Sequence, residues 1–219
     1  MTDTLRITHI ERQPRRKRLA VHTSDGASLT VTPDIAARFH LTQGQDVTHE
    51  RLQMISAAQA REDAMAAALR LVAFRPRSEK EMRQALARRA VDPTLRDETI
   101  SRLCELGLLD DRAFAQSFVD SRDRSSPRSR RLLAQELRLK GVAREVASES
   151  AAAVDDADAA YRAGARRARS MTGVAYPDFE RRLGAFLLRR GFNYQAARDT
   201  VRRLWREQDT GDGLPEGPD

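Results

Sequence analysis

The spacing of apolar residues changes once along the chain, and the change separates two kinds of predicted structure. Residues 1–47 alternate loosely between apolar and polar, as strands do, and Asp25-Gly26 is a hairpin signal between two such runs. Thr32-Pro33-Asp34 then predicts a short helix, with threonine as its cap and proline at its first position. The sequence therefore predicts a small β-meander plus a short helix over residues 1–61.

Beyond the meander, apolar residues recur at the three- and four-residue spacing of a helix face. One such set falls at i, i+4 and i+7: Met65, Leu69 and Val72. This first helical stretch is predicted to run to Phe74, with a break near Ser56. It ends before Arg75-Pro76, because proline disfavours helical backbone in the residue before it. Ser78, with Glu81 three residues later, is a capping box and predicts the start of a second helix.

A pattern with a period near fifty residues occurs three times in the helical part. It appears when Pro76–Val91 is placed over Pro127–Val142 and then over Pro177–Phe192. Apolar residues then coincide in groups of three: Met82, Leu133 and Leu183; Leu86, Leu137 and Leu187; Ile100, Ala151 and Val201; Leu103, Val154 and Leu204. A fixed period of this length is typical of stacked supersecondary units rather than of one irregular core. It predicts three-helix repeats at residues 62–109, 110–155 and 156–205.

The seam between the first two repeats lies in Glu105–Ala115. Gly107 predicts the end of a helix there, because glycine adopts left-handed backbone without steric cost. Asp110 or Asp111 is predicted to cap the next helix by accepting from its free backbone amides. Paired carboxylates also hold metals or act as acid and base, but no third ligand or histidine lies nearby in sequence. Two further glycines predict equivalent helix ends in the later repeats: Gly141 and Gly191.

The net charge of +7 is unevenly distributed. Residues 62–205 carry 29 basic and 21 acidic side chains, whereas residues 206–219 carry one basic and five acidic. The acidic tail contains glycine and proline and has nothing to bury, so it is predicted to be disordered. The basic repeats favour binding to phosphates or to an acidic protein face. A solvated surface with many salt bridges explains many of these charges, but not their excess.

The residues offer no arrangement for catalysis. There is no glycine-rich phosphate loop, no nucleophile beside a base and no metal cluster. Cys104, the single cysteine, lies on an apolar helical stripe and is predicted to be a buried small hydrophobe. We therefore predict a protein that is not an enzyme and has no cofactor and no metal. No apolar run is long enough to cross a bilayer, so we expect a soluble, cytoplasmic protein.

Basic residues at the ends of the second helices form a set in the repeat register. Each immediately precedes the helix-end residue Ala90, Gly141 or Gly191: Arg89, Lys140 and Arg190. A cation in the last turn of a helix is favoured by the helix dipole by about 0.3–1 kcal/mol, whatever its function. The functional interpretation is that these cations line one edge and contact DNA or an acidic protein face. The full set of candidates for partner and DNA binding is larger: Arg75, Arg77, Arg88, Arg89, Arg122, Arg124, Arg128, Arg130, Arg131, Lys140, Arg189 and Arg190.

Three segments of the sequence are similar to those of a known family. They are Leu69–Met82, Leu106–Ala115 and Glu136–Val142. With these segments the chain resembles the RecX family, bacterial regulators of the RecA recombinase, over roughly residues 62–205. Residues 1–61 resemble the β-containing N-terminal extension that some members of the family carry. The sequence departs from the family pattern at Ala90, where glycine is usual, and in its alanine- and arginine-rich third repeat.

The resemblance implies a mainly α fold in which three tandem three-helix repeats form an elongated, curved body. It implies binding in the helical groove of the RecA–single-stranded DNA filament. It also implies inhibition of filament extension, ATPase, strand exchange and co-protease activity, and hence a role in DNA repair, homologous recombination and the SOS response. DNA binding by the protein itself is implied for single strands, with double strands left open. We expect a monomer.

Two other classes of binding protein stay open on the residues alone. A helix-turn-helix transcription regulator is also built from short trihelical units, but three tandem units with basic edges suit a long groove better than two half-sites. An RNA-binding repeat protein is the other class, although the repeats lack a recurrent exposed aromatic residue for base stacking. An enzyme is the class that the residues favour least.

Overall fold

The computed structural model describes residues 4–13 and 17–211. Within them the N-terminal part contains four strands: β1 Thr4–Gln13, β2 Arg18–Thr23, β3 Ser28–Val31 and β4 Asp46–Thr48. The helices, in chain order, are α1 Pro33–Arg38, α2 His49–Phe74, α3 Glu79–Ala87, α4 Pro93–Glu105, α5 Asp111–Ser125, α6 Arg130–Leu139, α7 Arg144–Ala152, α8 Asp156–Ala168, α9 Tyr176–Arg189 and α10 Tyr194–Gly211. The prediction of a mainly α protein with a small β-containing extension is confirmed. None of the helices described here is both long and apolar enough to cross a membrane.

The four strands form one antiparallel sheet in the order β3-β2-β1-β4. β1, β2 and β3 are the predicted meander, and β4 pairs with the start of β1, where Leu5 lies opposite Val47. Thr32 caps α1, since its hydroxyl accepts from the Ile35 amide at 3.2 Å. One face of the sheet is covered by α1 and by the first turns of α2. The core between them consists of buried aliphatic residues: Ile7, Val21, Val31, Ile35 and Ile55.

The helix α2 is continuous over 26 residues, so the predicted break near Ser56 is wrong. The residues that follow Ser56 are alanines and glutamine, which favour helix. The polar Gln59 is buried, and its side chain has partners: its carbonyl accepts from the Thr32 amide at 2.6 Å and its amide donates to Asp63 at 3.1 Å. The sheet and the first repeat therefore share one helix, and the predicted boundary between residues 61 and 62 falls inside it.

The described chain divides into two compact units. One unit consists of the sheet, α1 and α2 up to Phe74, together with Ala85–Arg102. The other consists of Arg75–Gln84 and the described residues from Leu103 onward. This second unit contains all of α5 to α10, and the second and third repeats share one continuous apolar core within it.

The fifty-residue register correctly identifies the core of the repeats. Each repeat has two central positions on its second helix, and all six residues there are fully buried: Met82, Leu86, Leu133, Leu137, Leu183 and Leu187. The third helices contribute a further buried set: Ile100, Ala151 and Val201. Because the same positions are buried in α3, α6 and α9, the three repeats use one packing plan.

The second helix of each repeat also ends in one arrangement of hydrogen bonds. At α6, the Gly141 amide donates to the Arg138 carbonyl and the Val142 amide donates to the Leu137 carbonyl, at 2.9 and 3.1 Å. The equivalent bonds end α3 and α9. This Schellman motif needs positive φ at the residue whose amide donates the first of these two bonds. The residue is Ala90 in the first repeat, Gly141 in the second and Gly191 in the third, with φ values of 57°, 96° and 85°. The first repeat thus holds an alanine in a conformation that favours glycine.

The last helix continues to Gly211, beyond the predicted end of the third repeat at residue 205. Two side-chain contacts support this extension. Arg203 pairs with Glu207 one turn later at 2.9 Å, and Gln208 donates to the Ala168 carbonyl at 3.2 Å. Residues 212–219 of the predicted acidic tail lie outside the described residues.

The start of α3 contacts the second repeat in what we term the first joint: Ser78–Glu81 against Asp111 and Lys140-Gly141. The Ser78 hydroxyl caps α3 by accepting from the Glu81 amide at 3.2 Å, and it donates to the Lys140 carbonyl at 2.6 Å. The Glu79 amide donates to the Asp111 carboxylate at 2.8 Å. Two of the free amides at the start of α3 are therefore satisfied, one by its own cap and one by the next repeat.

The start of α6 contacts the third repeat in the same way, and we term this the second joint: Ser129–Leu132 against Asp156 and Arg190-Gly191. The Ser129 hydroxyl accepts from the Leu132 amide at 3.2 Å, and the Ser129 amide donates to the Arg190 carbonyl at 3.1 Å. The Arg130 amide donates to the Asp156 carboxylate at 2.8 Å. The two joints thus use a serine and an aspartate at matching places.

The paired acids of the seam have two different roles. Asp110 caps α5, accepting from the Arg112 and Ala113 amides at 2.7 and 3.2 Å, so the predicted capping is confirmed for this residue. Asp111 belongs to the first joint, where its carboxylate accepts from the Glu79 amide. Burial raises the pKa of the Asp111 carboxyl, although its hydrogen bond from the Glu79 amide opposes this. At the start of α8, Asp155 is the cap and Asp156 serves the second joint, so the division of roles recurs.

We predict that Ala90→Gly stabilises the protein by about 1 kcal/mol, because left-handed backbone costs about 1–2 kcal/mol for a residue with a Cβ and the added freedom of the unfolded chain offsets part of this. Urea denaturation measures the change. The control is Ala60→Gly on the exposed face of α2, which should lower stability by about 1 kcal/mol. Equal destabilisation by both substitutions would contradict the prediction.

We also predict that the first joint requires the close approach of Gly141. A Cβ on Gly141 would overlap the Lys80 Cβ, whereas one on Gly107 would meet nothing within 4 Å. Gly107→Ala should therefore cost only the backbone strain of about 1–2 kcal/mol. Gly141→Ala should cost roughly 1–3 kcal/mol more, because it overpacks the joint. Equal losses of unfolding free energy in the two variants would show that the joint tolerates a Cβ.

Candidate functional site

The predicted basic residues divide into those that the fold uses and those that it leaves exposed. Lys140 belongs to the first group: its Nζ lies 2.7 Å from the Glu81 carboxylate and 5.4 Å from the centre of the Phe118 ring. Arg75 donates to the same carboxylate at 2.7 Å. Burial opposes ionisation of Glu81, but the bonds from Lys140 and Arg75 together lower its pKa. The capping-box glutamate thus ties Lys140 to the first joint.

Arg190 is held by neutral oxygens at the second joint. Its Nη1 donates to the Ser126 hydroxyl and to the Pro127 carbonyl, each at 3.0 Å. The guanidinium lies over the Phe186 ring, 4.5 Å from its centre. Burial and the nearby charge of Arg166 lower the pKa of Arg190, and the Arg190 side chain pairs with no carboxylate among the described residues.

Arg89, the corresponding residue of the first repeat, forms a side-chain hydrogen bond only with its own helix among the described residues. Its Nη1 donates to the Ala85 carbonyl of the same helix at 2.9 Å, and the residue is otherwise exposed. The three residues that share one place in the register therefore have different partners. Lys140 binds a carboxylate, Arg190 binds neutral oxygens of a neighbouring segment, and Arg89 binds its own helix. Their common position reflects a favourable helix end, and the surroundings of each cation decide what else it does.

Two other predicted arginines share a single acid. Arg122 and Arg128 both pair with Glu136, Arg122 at 3.4 Å. Arg122 also lies over the Phe118 ring at 5.1 Å. Burial and the charges of Arg122 and Arg190 lower the pKa of Arg128. One carboxylate among these arginines leaves an excess of positive charge where the loop after α5 meets α6.

The remaining candidates are mostly exposed. Arg130 is exposed and lies 3.8 Å from Asp156, and Arg77 is half-buried beside Ser78. A further set is exposed and has no side-chain hydrogen bond or ion pair to the described part of the chain: Arg88, Arg124, Arg131 and Arg189. The last three lie in the second unit and are free to contact a partner.

Sequence reasoning missed the arginines of α8. Arg162 pairs with Asp123 and Asp158, each at 2.7 Å. Arg166 donates to the Ser125 and Arg124 carbonyls at 2.9 and 2.8 Å. The signal was the four-residue spacing of these two arginines, which puts them on one helix face. Apart from Asp158, their partners lie about forty residues away, so the sequence pattern does not reveal these contacts.

Positive charge is concentrated in two segments of the second unit. Residues 121–140 carry seven basic and two acidic side chains, a net of +5. Residues 161–191 carry eight basic and two acidic, a net of +6. Each segment alone approaches the net charge of +7 of the whole chain. Such a concentration attracts phosphates and acidic surfaces.

The described residues contain few other groups that could bind a metal ion or act as a nucleophile. In the described residues, no group of three or more histidine, cysteine or acidic side chains is placed to hold a metal ion. Cys104 is half-buried rather than fully buried as predicted, with its Sγ 3.8 Å from the Glu79 carboxylate. Burial and the Glu79 charge raise the pKa of its thiol, which disfavours the reactive thiolate.

Comparison with known proteins identifies the three repeats. Family models described as the first, second and third three-helix domains of RecX match residues 64–103, 110–150 and 154–201. A curated relative from Chlorobium limicola named Regulatory protein RecX is 31% identical over 147 residues, which are 67% of this chain and 92% of the relative. One of the same name from Streptomyces coelicolor is 34% identical over 150 residues, 67% of this chain and 80% of the relative.

A solved structure agrees on the fold. The crystal structure of a regulatory protein RecX superposes with a TM-score of 0.63 at 19% identity and covers 91% of this chain and 99% of that one. The similarity therefore extends beyond the three repeats into the N-terminal part. Together with the three matched domains and the curated relatives, it shows that this chain belongs to the RecX family.

Proposed function

We propose that this protein is a non-enzymatic regulator that binds the RecA–single-stranded DNA filament and inhibits RecA. The inhibited activities are filament extension, ATPase, strand exchange and co-protease activity. Membership of a family named for regulation supports a regulatory role. The protein acts as a monomer in the cytoplasm and contacts DNA weakly and without sequence preference.

The observation that carries the proposal is the set of exposed arginines in the two positive segments. Arg124, Arg131 and Arg189 have no carboxylate partner in the described part of the chain. An arginine fork that is not neutralised within the protein is suited to bind phosphate or carboxylate on a partner. A filament of RecA on DNA offers both kinds of group.

The cations at the ends of the second helices are less informative test positions. Lys140→Glu would place a carboxylate against Glu81, and Arg190→Glu would remove the bonds to Ser126 and Pro127. Both changes disturb a joint, so a loss of inhibition would not distinguish folding from binding. The proposal that these residues and Arg89 line one binding edge is therefore better tested through exposed neighbours.

We predict that replacing Arg124, Arg131 and Arg189 together by glutamine weakens inhibition while the protein stays folded. The measurement is ATP hydrolysis by RecA on single-stranded DNA against the concentration of added protein. If each arginine contacts one phosphate, the half-inhibitory concentration should rise at least about tenfold. For the isolated protein on single strands, the slope of log affinity against log salt should become less negative by about 2.

The matched control replaces by glutamine three exposed cations of the other unit that have no side-chain hydrogen bond or ion pair among the described residues: Arg12, Lys17 and Arg70. It removes the same charge and should leave inhibition near the wild-type value. If the unaltered protein fails to inhibit RecA at stoichiometric amounts, the proposed function is wrong. A salt-insensitive footprint at one DNA sequence would favour the helix-turn-helix transcription regulator instead.

A further inference from the structure

We infer that the second unit contains a phosphate-binding pocket formed by the guanidinium groups of Arg166, Arg167 and Arg190. The pocket lies where α8 and the end of α9 face the loop after α5. Its volume is about 210 Å³, and its other polar or aromatic lining comes from Ser125 and Phe186. Arg166 and Arg167 are not among the candidate binding residues predicted from the sequence.

Two of the three guanidinium groups, those of Arg166 and Arg190, are held in place by neutral oxygens. Arg166 donates through both terminal nitrogens to the Ser125 and Arg124 carbonyls. Arg190 donates through one terminal nitrogen to Ser126 and Pro127, and its plane lies over Phe186. Each group has five N–H donors, so these bonds leave donors for a ligand. A carbonyl fixes the position of an arginine without neutralising its charge.

The nearby carboxylates already form ion pairs with other arginines. Asp123 and Asp158 pair with Arg162, and Glu136 pairs with Arg122 and Arg128. The pocket lining contains three arginines and no carboxylate. Of the three lining arginines only Arg190 is half-buried, and its charge is costly without a counterion. An anion in the pocket would relieve that cost and would also pair with the exposed charges of Arg166 and Arg167.

Burial and neighbouring cations lower the pKa values of two arginines in this region. The charge of Arg166 acts on Arg190, and the charges of Arg122 and Arg190 act on Arg128. The shift of Arg190 agrees with the geometry, because it shows that the charges of Arg166 and Arg190 lie close enough to repel each other. A bound anion would therefore stabilise the loop after α5 and α8 together.

The chemistry of the pocket favours a phosphate group over other anions. Converging planar forks match the oxygens of a phosphate bidentately. The volume is smaller than the roughly 300–1,000 Å³ of pockets that enclose a whole small ligand. Arg190 covers one face of the Phe186 ring, so that face is not available to a nucleotide base. The occupant is thus a phosphate, either from the backbone of a DNA strand or free in solution.

The DNA source rests on the proposed function, and the free-phosphate source does not. Arg167→Gln tests both, because its side chain has no hydrogen bond or ion pair among the described residues and its loss leaves the loop contacts intact. Arg166→Gln tests the anchored fork. The matched control is Arg202→Gln, which removes one exposed charge of α10 outside the pocket.

The first measurement is binding of a fluorescent single-stranded oligothymidylate to the isolated protein across a salt series. For a phosphate in the pocket, Arg167→Gln should lower affinity about fivefold near 0.1 M salt and make the slope less negative by about 0.7. The second is the shift of Tm by inorganic phosphate, which should be smaller in Arg167→Gln than in wild type. Arg202→Gln should resemble wild type in both.

Either result alone supports the pocket and identifies its source: the DNA backbone from the salt series, or free phosphate from the Tm shift. The inference is overturned if Arg167→Gln and Arg202→Gln behave alike in both measurements. RecA ATPase assays on the same variants keep the two proposals apart. Absence of inhibition by the wild type would reject the proposed function, and the Tm shift would still decide the pocket.

Discussion

The fold depends on how the first amides of a helix are satisfied when that helix starts inside a contact between repeats. Helix starts leave free N–H groups that are costly to bury without partners. In both joints a serine caps its own helix, and an aspartate from the following repeat accepts the next amide. Neighbouring repeats are therefore linked by directional hydrogen bonds as well as by apolar packing, which fixes their register.

This constraint determines which charges are available for a partner. The carbonyls of Lys140 and Arg190 complete the joints. The Lys140 side chain binds the Glu81 carboxylate, and the Arg190 side chain binds the Ser126 hydroxyl and the Pro127 carbonyl. A cation in such a place contributes to the contact between repeats before it contributes to anything else. The free positive charge of the second unit comes from arginines whose side chains make no bond within the joints, such as Arg131, or are anchored by carbonyls, such as Arg166.

The sequence alone predicts the features that depend on local chemistry or on the fifty-residue period. The buried positions of the second helices, the helix end at Gly107 and a cap at Asp110 or Asp111 all follow from such patterns. It does not predict features that depend on distant partners. Asp111 meets an amide 32 residues away, and Arg166 meets a carbonyl 41 residues away. Both look like ordinary surface charges until the repeats pack.

The difference between a carboxylate and a carbonyl as partner for an arginine links the fold to the proposed binding. Arg162 and Arg166 lie one turn apart on α8, yet Arg162 is neutralised by Asp123 and Asp158 whereas Arg166 donates to backbone oxygens. Both contacts hold the last turn of α5 against α8, but only the contact of Arg166 leaves the arginine without a carboxylate partner in the described residues. An arginine that is held by carbonyls and has no carboxylate partner loses less side-chain entropy on binding an anion than a flexible one does. Arg166 and Arg190 in the third repeat are arginines of this kind.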